Sequence, residues 1–152
     1  MIKTIDDILD RMLRYHNDLE TYYSYQSRII HDTRMVALLD FLARSERYLG
    51  SSISEYQQLM PLNSLYRELG RDISSIKFPE PEYYHGDFNA KIDAFFDIMR
   101  IALHNESVIA NYCKSISANI TDPAVCSVFK KICKRTVRER RGLISYRSLF
   151  SA

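Results

Sequence analysis

The chain has 152 residues, of which 46% are hydrophobic and 26% are charged, and its formal net charge is +2. It contains only four Gly and four Pro, too few chain breakers for collagen, for low-complexity disorder or for a turn-rich β-sandwich. A chain of this length is expected to fold as one domain, residues 1–152, around one core. The composition therefore favours an all-α protein with long helices.

The sequence also bears on the compartment of the protein. No run approaches the roughly 20 apolar residues of a membrane span, and the aspartates within residues 6–10 interrupt the apolar N-terminal segment, which is not expected of a signal peptide. Three cysteines, Cys113, Cys126 and Cys133, are too few for a disulfide framework and suit a reducing compartment as small core residues. We therefore expect a cytoplasmic protein with no membrane partner.

Four long helices are predicted from the spacing of apolar residues. They are placed at about residues 5–30, 33–60, 88–116 and 123–143. Asp32 is expected to cap the second helix. Asp122 followed by Pro123 predicts the start of the fourth, because Asp caps helix N-termini and Pro suits the first helical position.

The connection between the second and third helices, residues 61–87, is much longer than the other two. It holds three of the four prolines and two of the four glycines, and we expect a short helical turn at 65–69 and an extended segment at 77–82. Such a connection can reach about 80 Å, whereas the long helices span about 40 Å. It can therefore cross the whole assembly. The sequence predicts an all-α four-helix bundle of two antiparallel hairpins joined by a long crossover.

The two predicted hairpins repeat each other at an offset of 90 residues, without a gap. Under this shift Tyr22 falls on Tyr112 and Asp32 falls on Asp122, within a continuous register of apolar matches. Amphipathic helices also match by chance, because they share one period. The aligned tyrosines and capping aspartates favour duplication over coincidence.

Polar side chains interrupt the apolar stripe of each predicted helix near its middle. They are His16, Glu46, Glu106 and, in the fourth helix, Thr136 with Glu139. Packed helices of similar length bring their midpoints to one level, so we expect these side chains to converge, with Glu20 at the hydrated rim. Burying carboxylates is costly unless a metal, a shared proton or a basic neighbour neutralises them.

With these residues the chain resembles the ferritin-like superfamily, specifically its rubrerythrin-like branch. The resemblance implies two hairpins, each supplying a Glu from its first helix and Glu-x-x-His from its second, around two iron or manganese ions. Glu46 and Glu106 match by residue type, and His16 and Glu139 stand at ligand positions with other residues that could bind metal. Helical-bundle cores of this kind do hold carboxylate metal sites.

Both Glu-x-x-His motifs depart from the family pattern. In residues 46–49 the His position is Leu49, and in residues 136–139 Thr136 replaces Glu while Glu139 replaces His. Leucine cannot bind a metal, and threonine rarely does. We therefore expect an incomplete di-metal site and assign no catalytic residue. The cofactor stays open: there is none, or iron or manganese if the remodelled site binds metal.

Two functions from different classes follow from this comparison. The first is a structural or protein-interaction module, expected to be a homodimer because its eleven tyrosines cannot all face a core and Tyr is enriched at interfaces. The second is a remodelled redox protein in which iron or manganese binds to carboxylate and imidazole ligands. Its metal ligands would be His16, Glu46, Glu106 and Glu139.

The last predicted helix is strongly basic. Residues 130–147 contain eight basic residues and one acidic residue, Glu139. Such a run could attract nucleic acid, an acidic protein or an anionic membrane surface, but most are solvated faces, and basic residues also suit a helix C-terminus. Tyr146 is the only aromatic residue among these charges and no DNA-binding motif is present. On this basis we do not expect nucleic acid to be the partner.

Overall fold

The computed structural model describes residues 1–90 and 92–149, which contain helices and no β-strand. The predicted all-α class is therefore confirmed. None of the helices in these ranges is long and apolar enough to cross a membrane. The helices are α1 Ile5–Ile29, α2 Thr33–Leu59, α3 Leu62–Leu65, α4 Arg71–Ser74, α5 Ile92–Asn119 and α6 Pro123–Ser148.

Side-chain caps stand at the start of α1, α2 and α6. Asp32 accepts a hydrogen bond from the Met35 amide at 2.9 Å, and Asp122 accepts one from the Ala124 amide at 2.9 Å, as predicted for both. The start of α1 was not predicted from a cap. There Thr4 and Asp7 form a reciprocal capping box, which satisfies two amides that the first turn leaves unpaired.

Two local predictions in the crossover are wrong. The helical turn expected at 65–69 lies instead at 62–65, because Leu69 donates its amide to the Lys3 carbonyl at 2.8 Å and thus runs beside the start of α1. The helix expected directly after Asp87 does not begin there, because Asp87 holds residues 88–90 in a turn through the Asn89 amide, 2.9 Å from its carboxylate. The short helix α4 was also not predicted.

The long helices pack as two pairs, α1 with α2 and α5 with α6. Within the first pair, Gln57 near the end of α2 donates to Asp6 near the start of α1 at 2.9 Å. Within the second, Arg140 donates to Ser107 at 2.8 Å. The crossover then reaches the far end of α1, where the Tyr22 hydroxyl donates to the carbonyl of residue 84 at 2.9 Å.

One contiguous group of buried hydrophobic side chains includes residues from all four long helices. Its most buried members include Ile8, Leu39, Ile109 and Phe129, each with no exposed surface. Helix ends also follow the 90-residue offset: α1 ends at Ile29 and α5 at Asn119, and α2 begins at Thr33 and α6 at Pro123. The two pairs of helices therefore share the boundaries of their turns as well as their sequence register.

Candidate functional site

Three of the predicted site residues meet in the core, each on a different helix. His16 on α1, Glu46 on α2 and Glu106 on α5 expose only 1%, 4% and 5% of their surface. The His16 Nδ1 and Glu46 Oε2 atoms are 2.6 Å apart and share a hydrogen bond. The Glu106 carboxyl lies beside that of Glu46. We call these three residues the polar cluster.

A close approach of α1 and α2 positions the first two members of the polar cluster. Gly50 follows Glu46 by about one helical turn and faces His16. A methyl group at Gly50 would lie 3.3 Å from the Asn17 side-chain oxygen and 3.7 Å from the His16 Cβ. A methyl group here would crowd only the Asn17 side-chain oxygen, by a few tenths of an ångström, and would make an ordinary contact with His16. Gly50 thus marks where α2 faces His16 and Asn17 of α1.

Burial sets the protonation of the polar cluster. It lowers the pKa of His16 to about 4 and raises that of Glu46 to about 8. The pKa of Glu106 is raised well above its ordinary value, by burial first and then by the neighbouring Glu46. Near neutral pH both carboxyls therefore hold a proton and the imidazole is neutral. The 2.6 Å contact is then a hydrogen bond that the Glu46 carboxyl donates to His16.

Two atoms of the polar cluster have no hydrogen-bond partner among the described residues. They are His16 Nε2 and Glu106 Oε2, both fully buried. Buried polar atoms are paired in the great majority of cases, and an unpaired one carries a desolvation cost. These two atoms are thus the part of the cluster best suited to a further donor, acceptor or cation.

A neighbouring network holds the crossover against the polar cluster. Asn105, which precedes Glu106 and is 1% exposed, bonds both backbone groups of Glu82: it donates to the carbonyl and accepts from the amide, each at 2.9 Å. Its own carbonyl accepts a 2.8 Å hydrogen bond from the Tyr15 hydroxyl. The only sign of this network in the sequence is an asparagine directly before Glu106. It was not among the predicted site residues.

Tyr15 also separates the polar cluster from the surface. A cavity of about 400 Å³ between α1 and the crossover is lined by Tyr15, Phe78 and their neighbours but not by any cluster residue. The Tyr15 ring packs edge-on against the His16 ring, with centroids 5.4 Å apart, and against Phe78 at 6.3 Å. The cluster is thus closed off on this side.

The fourth predicted site residue, Glu139, does not join the polar cluster directly. It is only partly buried, and its Oε2 accepts a hydrogen bond from the Ser45 hydroxyl at 2.8 Å. Glu20 lies at the rim, 24% exposed, where Arg47 donates to it at 2.7 Å. This agrees with the prediction for Glu20.

The two positions that break the family motif lie in the core. Leu49 is 2% exposed and Thr136 fully buried. The Thr136 hydroxyl donates to the Ile132 carbonyl of its own helix at 2.9 Å, so it is already satisfied. A two-metal centre of the implied kind does not fit these residues. Among residues 1–90 and 92–149, no three or more His, Cys, Asp and Glu side chains have the arrangement of a metal site.

Comparison with known proteins does not assign the chain to a family. No family model, curated protein or solved structure matches it. Its function is therefore argued from the geometry of the polar cluster and from the surfaces around it.

Proposed function

We propose that the chain is a ferritin-like four-helix bundle of two antiparallel hairpins, acting in the cytoplasm as a structural or protein-interaction module rather than as an enzyme. One observation carries this proposal: apolar Leu49 and self-satisfied Thr136 fill the core where the resemblance implies metal ligands. In the absence of a bound metal, protons rather than cations neutralise the two buried carboxyls. Tyr15 closes one approach to it.

In this proposal the polar cluster and the neighbouring Asn105 specify how α1, α2, α5 and the crossover pack. A buried polar group is satisfied only when its partner stands opposite, so the hydrogen bond of His16 with Glu46 favours one register of α1 against α2. Asn105 does the same for α5 and the crossover. Apolar contacts alone would tolerate slippage by a turn, because they are not directional.

The partner in this proposal is a second copy of the chain, bound through an exposed apolar surface. Leu59, Leu62 and Tyr66 expose 75%, 70% and 59% of their surface. They lie at the end of α2, at the start of α3 and directly after α3. Exposed apolar and aromatic side chains grouped in this way are typical of interfaces. We call these three residues the apolar end.

Light scattering coupled to size exclusion tests the homodimer. We expect a dimer for the wild type and a monomer for the variant Leu59→Glu with Leu62→Glu, because two buried charges would oppose association. Tyr25→Glu, at a tyrosine that is 57% exposed in α1, is the matched control and should remain dimeric. A wild type that is monomeric at every concentration would contradict the proposed homodimer.

A second candidate function is favoured by the unpaired His16 Nε2 and Glu106 Oε2 atoms. Imidazole and carboxylate groups suit iron and manganese, so the polar cluster could hold one such ion in a remodelled redox protein, provided that its side chains move, since they do not now have the arrangement of a metal site. The two carboxyls would have to give up their protons on binding, and the imidazole hydrogen would have to move from Nε2 to Nδ1.

Elemental analysis of protein purified without chelator separates the two candidates. The module proposal predicts far less than one equivalent of iron, manganese or zinc, even after reconstitution. One tightly bound equivalent that is lost in Glu106→Gln and kept in Glu20→Gln would instead establish the metal protein. Glu20 is a suitable control because it lies at the rim and pairs with Arg47.

A further inference from the structure

Five basic side chains form a stripe on the outer face of α6. All five are exposed. Two of them are adjacent and the others follow at spacings of three or four residues, so that all lie within about 100° of the helix circumference. We call this set the basic stripe. Its members are Lys130, Lys131, Lys134, Arg138 and Arg141.

The structure separates the basic stripe from other basic residues of the same run. Arg135 is used within the protein: it donates to Ser52 at 2.7 Å and lies 5.1 Å from the centre of the Tyr56 ring. Arg140 donates to Ser107 at 2.8 Å. The sequence alone could not show which basic residues of α6 are bonded within the protein, because this depends on the side chains of α2 and α5 that lie opposite α6.

Within the part of the chain that the structure describes, no carboxylate pairs with the basic stripe. None of its side chains takes part in an ion pair within residues 1–90 and 92–149. Glu139, the one acidic residue among them in sequence, bonds to Ser45 on α2 instead. Like charges three and four residues apart on a helix repel each other, so the stripe destabilises α6 until an anion lies along it.

The shape of the basic stripe indicates the kind of anion. From Lys130 to Arg141 it extends about 16 Å along the axis, and a DNA duplex presents about ten phosphates over that length. Its first three lysines also line a shallow surface cavity of about 470 Å³. A narrow row of cations on a convex helix fits the backbone of a rod-shaped polyanion.

Two other anionic partners, a single-stranded nucleic acid and a membrane surface, fit the basic stripe less well. A single strand would need aromatic platforms for its bases, but Tyr146 stacks on Phe41 at 4.8 Å. A membrane-surface helix would need apolar side chains to insert, but Phe129 and Ile132 of α6 are buried in the core. We propose that the basic stripe binds the phosphate backbone of double-stranded DNA without reading its sequence, which revises the expectation drawn from the sequence.

Fluorescence anisotropy with the full-length protein and two 20-base-pair duplexes of unrelated sequence tests this proposal. We expect similar affinities for the two duplexes and a slope of about −4.5 for log K against log salt, since each neutralised phosphate contributes about −0.9. The triple variant Lys134→Gln, Arg138→Gln, Arg141→Gln should weaken binding and reduce the slope by about 2.7. Circular dichroism verifies that the variant is folded.

A matched control removes the same charge elsewhere. The triple variant Arg14→Gln, Arg28→Gln, Arg71→Gln changes three exposed arginines outside α6 and should retain the wild-type slope. Absence of binding at low salt would overturn the proposal, as would equal losses in the two triple variants. Binding to phosphatidylserine vesicles or polyglutamate with no binding to DNA would overturn it as well, in favour of a membrane or an acidic protein. None of these outcomes depends on the homodimer or on a metal.

Discussion

The free energy of unfolding of metal-free protein is expected to fall as the pH rises from about 6.5 to about 8. Burial raises the pKa of Glu46 from 4.5 in the unfolded chain to about 8 in the folded one, and that of Glu106 also lies well above 4.5. Over this range the folded protein keeps protons that the unfolded chain has lost. Each such proton reduces stability by about 1.4 kcal/mol per pH unit.

His16 acts with the opposite sign and at lower pH. Its pKa falls from 6.5 in the unfolded chain to about 4 in the folded protein, so its contribution is present above pH 6.5 and is lost as the pH falls through this interval. Only above about pH 7.5, one unit beyond its unfolded pKa, is imidazole almost entirely neutral in both states. The carboxyls alone then set the slope for the polar cluster, and between pH 6.5 and 7.5 His16 offsets a small part of their effect.

Urea denaturation between pH 6.5 and 8 in the presence of a chelator measures this slope. Glu106→Gln keeps the shape of the side chain and removes its titratable proton, so the slope should become shallower. Glu20→Gln, at the hydrated rim, should leave it unchanged. A wild-type stability independent of pH over this range would contradict the assigned protonation of the polar cluster.

Phe129→Ala is expected to cost about 3–5 kcal/mol of stability, the range for truncating a buried aromatic side chain. Phe129 lies on α6, has no exposed surface and belongs to the core shared by all four long helices. Its loss removes apolar burial and leaves a cavity that surrounding side chains fill only in part.

Urea denaturation at a fixed protein concentration measures this cost, because an association equilibrium would otherwise change the apparent stability. Tyr25→Ala is the control: this aromatic residue is 57% exposed, and its truncation should change stability by no more than about 0.5 kcal/mol. Equal effects of the two substitutions would show that α6 does not pack as described.

The polar cluster was predictable in part, because a polar residue that interrupts an apolar stripe must face the core if its helix does. This reasoning located His16, Glu46 and Glu106. It failed for Glu139, which is only partly buried and accepts a hydrogen bond from Ser45 on α2 instead. Whether such a side chain turns inward depends on the neighbouring helix.

The helices themselves were predictable from local features. Apolar periodicity and the capping residues Asp32 and Asp122 depend only on neighbours within a turn or two, so the ends of α1 and the starts of α2 and α6 agree with the expectations to within one residue. The crossover was less predictable. Leu69 pairs with Lys3, a contact between residues far apart in the chain that no local pattern encodes.

Composition and periodicity were thus sufficient for the all-α class and for three members of the polar cluster. Packing alone decided which of these groups are paired and which cations stay free. The hydrogen bonds of His16 with Glu46 and of Tyr15 with Asn105 join different helices. The exposure of the basic stripe likewise depends on what α2 and α5 place beside α6. Hydrogen bonding and burial are set by distances between side chains, which exist only once the helices have packed.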